Sequence, residues 1–214
     1  MDLAGLIESL IRQKIASHQA GTPLSEEALV TQVLKTLKDQ GIQIEEQSSA
    51  ALKTPAKNKV ACGSDHGGFA LKEILIPHLR KEHYEVIDLG TFNEEAVDYP
   101  DFAQKVAEYV SQGHCSRGII IDGAGIGSCM TANKVVGVRA AHCHNIFEAR
   151  NAREHNNSNV LSLGGRVIGT EFAKAIVMAW LETDFAGGRH QKRVDKIMAV
   201  EQKYSRSLCP SSAK

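Results

Sequence analysis

Asp122 closes the apolar run Ile119-Ile120-Ile121 and is followed by Gly123-Ala124-Gly125-Ile126-Gly127-Ser128. Glycines at alternate positions let backbone N–H groups converge where side chains would block them, so such a loop can hold an anion or an oxygen gaining negative charge. A carboxylate at the C-terminal end of a strand stands where open parallel α/β sheets place their ligands. An acid or base beside a ring of amide donors suits proton transfer on a small anionic substrate. The same run also suits a tight strand-to-helix turn with an incidental Asp. Three further groups carry chemistry: Ser64-Asp65-His66-Gly67-Gly68, Asp98-Tyr99 before Pro100, and Arg153-Glu154-His155-Asn156-Asn157. Each has a local explanation as well, since Asp65 can cap a helix, Asp98 to Asp101 can form a turn and N-cap, and His155 can be a surface residue. Taken together, the expected sheet puts all of them at one edge. Arg189 and Arg193, four residues apart after Gly187-Gly188, share a face at the start of a helix. Two guanidiniums beside backbone donors suit a phosphate, and they equally suit a solvated basic face.

The elements that must position these groups follow from periodicity. Strands are expected at Val60 to Ser64, Tyr84 to Leu89, Ile119 to Ile121, Val138 to Cys143 and Val160 to Leu163. Helices alternate with them at Phe69 to Lys81, Phe102 to Ser111, a short one to about Val135, Phe147 to Arg153 and Glu171 to Glu182. Five strands alternating with helices imply a Rossmann-like, doubly wound, five-stranded parallel sheet with right-handed crossovers. A last helix, Arg189 to Tyr204, carries Val194, Ile197, Met198 and Glu201 along one face, suited to packing on another surface such as a second subunit. Upstream, Leu3, Leu6, Ile7, Leu10, Ile11 and Ile15 have the spacing of a one-sided helix. A second such helix follows Thr22-Pro23, with Leu29, Val30, Val33, Leu34 and Leu37, and stops at Gly41. The expected organisation is a helical N-terminal extension at 1–44, a flexible linker at 45–58, the α/β domain at 59–205 and a short tail at 206–214.

Composition limits the function classes. Among 214 residues, 43% are apolar and 23% charged, and the formal net charge is zero. That balance argues against nucleic acid or an anionic membrane as the main partner. No apolar run approaches the roughly 20 residues needed to span a bilayer, and Asp2, Glu8 and Arg12 interrupt any signal-peptide pattern. Five cysteines, at 62, 115, 129, 143 and 209, include no Cys-x-x-Cys pair, which fits a reducing compartment and neither a zinc site nor a disulfide framework. His142 and His144 would point to opposite faces of a strand, so no metal site is expected.

Ser64-Asp65-His66-Gly67-Gly68-Phe69-Ala70-Leu71-Lys72, Val97-Asp98-Tyr99-Pro100-Asp101, Ala132-Asn133-Lys134 and Val138-Arg139-Ala140 resemble the ribose-5-phosphate isomerase B family. So do Ala152-Arg153-Glu154-His155-Asn156-Asn157, Leu163-Gly164-Gly165-Arg166 and Gly187-Gly188-Arg189-His190-Gln191, in order and at family spacing. The family also contains the two subunits of galactose-6-phosphate isomerase. The resemblance runs from Lys59 to Tyr204. It implies a metal-free, cofactor-free aldose–ketose isomerase acting on ribose 5-phosphate and ribulose 5-phosphate, dimeric or tetrameric, with sites between subunits. By that resemblance His155 is the ring-opening acid/base, while Asp65 and Asn156 hold the sugar and Asp98 and Tyr99 line the site. His66, Arg189 and Arg193 bind phosphate, some from the partner subunit, and the amides of Gly123, Ala124, Gly125, Ile126, Gly127 and Ser128 cradle the enediolate.

The chain departs from the family at the loop. The family's pattern is Cys-Gly-Thr-Gly-x-Gly with the Cys as C1/C2 base, whereas here Asp122 and Ala124 stand at the Cys and Thr positions, and Ser128 stands where some members carry a Glu. Asp122 is therefore the expected replacement base, provided burial and substrate charge raise its pKa toward neutrality. Loss of the Thr hydroxyl removes a donor worth about 3 kcal/mol when essential, and Ser128 is the nearest substitute. The alternatives are an isomerase of a hexose or deoxy phosphosugar and a catalytically silent sugar-phosphate-binding protein. Glu26 to Leu37 resembles the encapsulation segments that direct enzymes into bacterial microcompartments, which implies a shell protein as partner for residues 1–44 and a cytoplasmic location, within such a compartment.

Overall fold

Five parallel strands and six helices alternate along residues 58–206, which, with Thr36, are the residues that this computed structural model describes. Apart from Thr36, the expected helices in 1–44 and nearly all of the expected linker lie outside the described residues, as do 207–214. The chain divides into two units, 1–51 and 52–214, and the sheet belongs to the second.

The order is β1 (Lys59–Ser64), α1 (Phe69–Lys81), β2 (Glu85–Asp88), α2 (Tyr99–Ser111), β3 (Arg117–Asp122), α3 (Ile126–Ala132), β4 (Ala140–His142), α4 (Ile146–Glu154), β5 (Val160–Gly164), α5 (Thr170–Glu182), a 3-10 turn at Gly188–His190 and α6 (Gln191–Arg206). The sheet order is β2-β1-β3-β5-β4, with every pair parallel. The doubly wound expectation holds. The chain runs from β1 out to β2 on one side and, on the other, from β3 out to the edge strand β4 and back to β5 between them, so the strand order reverses between β1 and β3. The crevice at their C-terminal ends is the topological switch point.

The middle of β3, Ile119-Ile120-Ile121, is apolar without alternation because it is covered on both faces. Ile119 and Ile121 pack with Val60, Cys62, Leu161 and Leu163 under α1 and α5, while Ile120 packs with Ala61 and Val160 against Val106 and Ala107 of α2. α2 begins three residues earlier than expected, at Tyr99, because Pro100 fits a first helical turn, where its missing N–H costs nothing. β4 is shorter than expected and ends at His142.

A buried ion pair braces the upper rim. Lys72 of α1 is fully buried and its ammonium donates to Asp88 Oδ2 at 2.6 Å. Asp88 Oδ1 accepts from Gly90 N, and Gly90 O accepts from Ser64 N at 2.6 Å, so the pair holds the exit of β2 against the tip of β1. None of the helices among the described residues is long and apolar enough to cross a membrane.

Candidate active site

Loops that leave the strands gather at the upper edge of the sheet. Asp65, directly after β1, is 7% exposed, and its Oδ1 accepts from Gly68 N at 2.9 Å, which closes the turn before α1; the N-cap itself is Gly68, not Asp65. Gly68 must be glycine for a steric reason, because a Cβ there would overlap the Ile121 carbonyl. The half-buried His66 has Nδ1 at 3.2 Å from both N and O of Val97, which ties it to the loop carrying Asp98 and Tyr99. The Tyr99 ring lies where a side chain on Gly127 would be. Asp65, His66, Asp98, Tyr99 and residues 122–128 thus share one crevice.

Asp122 organises the loop from inside. Its Oδ1 accepts from the amides of Ala124, at 2.8 Å, and Gly125, and its Oδ2 accepts from Ser128 N at 2.9 Å. Gly125 sits in the left-handed region (φ 82°) as the N-cap of α3, and the Asp122 carboxylate, three residues earlier, supplies the acceptor that this cap lacks. The expected raised pKa is not what the fold produces, and the direction is the opposite. Burial pushes the Asp122 carboxyl up, but the hydroxyl and amide of Ser128 and the amides of Gly125 and Ala124 outweigh it and hold the pKa below its ordinary value. Ser128, 2% exposed, is likewise engaged with Asp122 rather than presenting a donor to the crevice.

No described cysteine takes over as base. Cys62 and Cys143 are buried, and burial pushes each thiol up to about 12. Cys129 turns toward Ala140 O at 3.6 Å, and burial raises its pKa too.

The expectation that His155 and Asn156 join this edge is corrected by the sheet's polarity. In a parallel sheet the loop entering a strand lies at the opposite edge from the loop leaving one, and residues 155–157 enter β5. Asp122 is in register with Gly164 and Gly118 with Val160, so four residues, about 13 Å of strand, separate the two edges. His155 and Asp122 of one chain cannot both touch one five-carbon sugar.

The lower edge has its own construction. Arg153, fully buried, donates to Asn157 Oδ1 (3.0 Å), to Ser158 O and to Thr183 O, and lies 5.9 Å from the Trp180 ring. These bonds fix the turn presenting His155 and Asn156. Ala186 N donates to Glu154 O, which brings the Gly187–His190 segment alongside. The ring of His190 stacks on His155 with centroids 4.0 Å apart and planes 8° apart. Arg189 belongs to the 3-10 turn and Arg193 to the first turn of α6, so the expected single helical face is split between two elements, and both side chains are exposed.

Two residues near the upper loop have no expected role at the site. Arg166 follows β5, its N–H donates to Gly123 O, and its exposed side chain passes over Gly123. The signal was a cation two residues beyond a strand's C-terminal end. His142 packs against Gly125, and its ring lies 4.1 Å from that of His144. The expected opposition of the two imidazoles fails because β4 stops at His142 and strand alternation does not reach His144.

A switch-point crevice carrying two carboxylates, an imidazole and a loop whose amides already hold a carboxylate defines an α/β protein built to receive a small anionic ligand. The chain belongs to the ribose/galactose isomerase family, whose sequence profile matches residues 60–197. Ribose-5-phosphate isomerase B of Escherichia coli is 48% identical over 145 residues, 68% of this chain and 97% of that protein. The solved ribose-5-phosphate isomerase B of Clostridium thermocellum superposes with a TM-score of 0.68 at 54% identity, covering 68% of this chain and 99% of that one. A D-erythrulose-4-phosphate isomerase of Pectobacterium atrosepticum is 41% identical over 140 residues, 64% of this chain and 91% of that protein.

Proposed function

We propose that the chain interconverts ribose 5-phosphate and ribulose 5-phosphate through an enediolate. The observation that carries this reading is the glycine loop at the switch point, whose converging amides bind a carboxylate and so have the geometry to bind an enediolate oxygen. Opening the sugar breaks C1–O4, with one proton gained at O4 and one lost from O1; His155 is assigned to this step, and Asn156 beside it to holding the sugar. Asp122 then removes the C2 proton and returns it at C1 while the hydroxyl proton moves between O2 and O1. For this the carboxylate must leave the amides of Ala124 and Gly125, and the enediolate oxygen takes them. Losing those donors raises its basicity as it meets the carbon-bound proton.

Because His155, Asn156, Arg189 and Arg193 lie at the edge opposite Asp65, His66 and Asp122, one complete site requires two copies of the chain. The homodimer, or a tetramer of two such pairs, is therefore part of the reading. His66 and Arg166 of one copy and Arg189 and Arg193 of the other would hold the phosphate. Residues 1–44 would carry the enzyme, in the cytoplasm, to a microcompartment shell protein. A reporter fused to 1–44 that fails to associate with shells removes that part.

The test is turnover. Purified protein given ribose 5-phosphate forms ketopentose phosphate, and Asp122→Asn does not; absence of product from the unmodified protein overturns the reading. The erythrulose-phosphate relative favours a second reading, in which the substrate is a four-carbon phosphosugar. Preference for erythrose 4-phosphate over ribose 5-phosphate in kcat/KM would select it.

A further inference from the structure

We propose that His190 is a positioning residue for the ring-opening imidazole of His155, an inference that rests on the assignment of His155 to ring opening. The two rings are nearly parallel, with centroids 4.0 Å apart, a face-to-face stack at the lower edge of the sheet. His190 is 6% exposed, so it cannot follow His155 if that ring turns, and the stack fixes the plane of the half-exposed partner. Asn151 fixes the rotation within that plane. Its amide Nδ2 lies 2.9 Å from His155 Nδ1. An amide N–H can only donate, so neutral His155 accepts at Nδ1 and carries its proton on Nε2, away from Asn151.

The charge state of His190 follows from its other contacts. Arg189 Nε donates to His190 Nε2 at 3.3 Å, so that nitrogen is an acceptor and the ring is neutral. Burial, His155, Arg189 and Arg193 all disfavour its protonation, with Glu154 the opposing group nearby. Two stacked imidazoles cannot both be charged at low cost, and here the inner one stays neutral. No like charge is therefore stacked on the outer ring while it relays a proton in ring opening. The C1–O4 bond breaks, His155 gives a proton to O4, and the O1 hydroxyl proton restores it, so none is consumed.

The contrary reading is that His190 only fills space, and it makes a different prediction. A packing residue would affect stability and every step alike, whereas a positioning residue affects ring opening alone. 2-Deoxyribose 5-phosphate isolates that step, because it closes through O4 like ribose 5-phosphate but has no C2 hydroxyl and cannot become a ketose. The experiment measures enzyme-catalysed exchange between its α and β anomers by NMR magnetisation transfer on the full-length protein, with Tm recorded for each variant. The unmodified protein accelerates the exchange, His155→Ala abolishes the acceleration, and His190→Ala reduces it by about tenfold or more, as expected when a reacting group loses its orientation. His190→Phe, which keeps a flat ring in the stack, retains most of it. If the unmodified protein fails to accelerate exchange, or His155→Ala still does so, the assignment of His155 falls and this inference with it. If His155→Ala abolishes the acceleration while folded His190→Ala retains it, or His190→Phe loses as much as His190→Ala, His190 has no positioning role and only this inference falls.

Discussion

Mixing two inactive variants should restore activity. Asp122→Asn removes the proposed base from the upper edge, and His155→Ala removes the proposed ring-opening group from the lower edge. About 13 Å of strand lies between those edges in one chain. Neither variant can therefore repair the other's defect within a single copy, and each is inactive alone. If every site combines the upper edge of one copy with the lower edge of another, a mixed pair holds one doubly damaged site and one intact site. Equal mixing makes half of all pairs mixed, so about one quarter of unmodified activity should return, given a closed two-fold arrangement in which each copy contributes both edges. The assay is ketopentose phosphate formation from ribose 5-phosphate after the two variants are denatured together and refolded, against each variant refolded alone. Activity that stays at the single-variant level, while size measurements show mixed pairs forming, would refute the two-copy site. Substantial activity in refolded His155→Ala alone would refute the role of His155 without touching the geometry.

Asp122→Ala leaves three loop amides without their acceptor and should cost about 2–3 kcal/mol in urea unfolding, with Asp122→Asn costing less because one acceptor remains. The pKa of Asp122 is lowered on folding, so its contribution is present above the unfolded value, near 3.9, and is lost as pH falls through the folded one. The unmodified and Asp122→Asn stabilities should therefore begin to approach each other as pH falls below about 4 and meet only below the folded value. Lys72→Met strands Asp88 without its buried cation and should lower stability by about 3 kcal/mol, and changing Asp88 to Leu as well should recover most of it. Arg166→Met should raise KM for the phosphosugar about tenfold and lower kcat as well, since a phosphate contact helps to drive the Asp122 carboxylate off its loop amides. Steady-state kinetics showing an unmoved KM would place Arg166 outside the site.

The order and type of all five strands were legible because β3, β1 and β5 are apolar on both faces and turn residues separate them. Boundaries slipped where tertiary packing overrode local pattern. Val138 and Arg139 look like strand, yet pairing of β4 begins at Ala140, after Arg139 N has turned to the Asn159 side chain. The upper half of the site was legible from Asp65, His66 and the glycine loop, since each follows a strand. The placement of His155 at the opposite edge is also contained in the sequence. A segment that precedes a parallel strand lies at its N-terminal edge, and the polarity of β5 alone assigns residues 155–157 to the lower rim. What no residue pattern announced was the direction of the Asp122 shift. The pattern supplies a buried acid and glycines, and only the folded loop shows that the amides point at the acid itself.

That self-contact links the two halves of the site. A carboxylate held by Ala124, Gly125 and Ser128 is a weak base lodged in the place where the reaction needs free amides. Substrate has to displace it, at the cost of several charge-assisted hydrogen bonds that the enediolate regains only late in the reaction. Binding energy from the non-reacting end of the sugar is what can supply the difference, as remote contacts do when they drive rearrangement at a reacting centre. In this chain the cations suited to that end, Arg189 and Arg193, lie on the far edge of the sheet and so arrive with the second copy. Truncating the phosphate from the substrate should accordingly depress kcat and not KM alone, more steeply here than in a relative whose base is not folded into its own cradle.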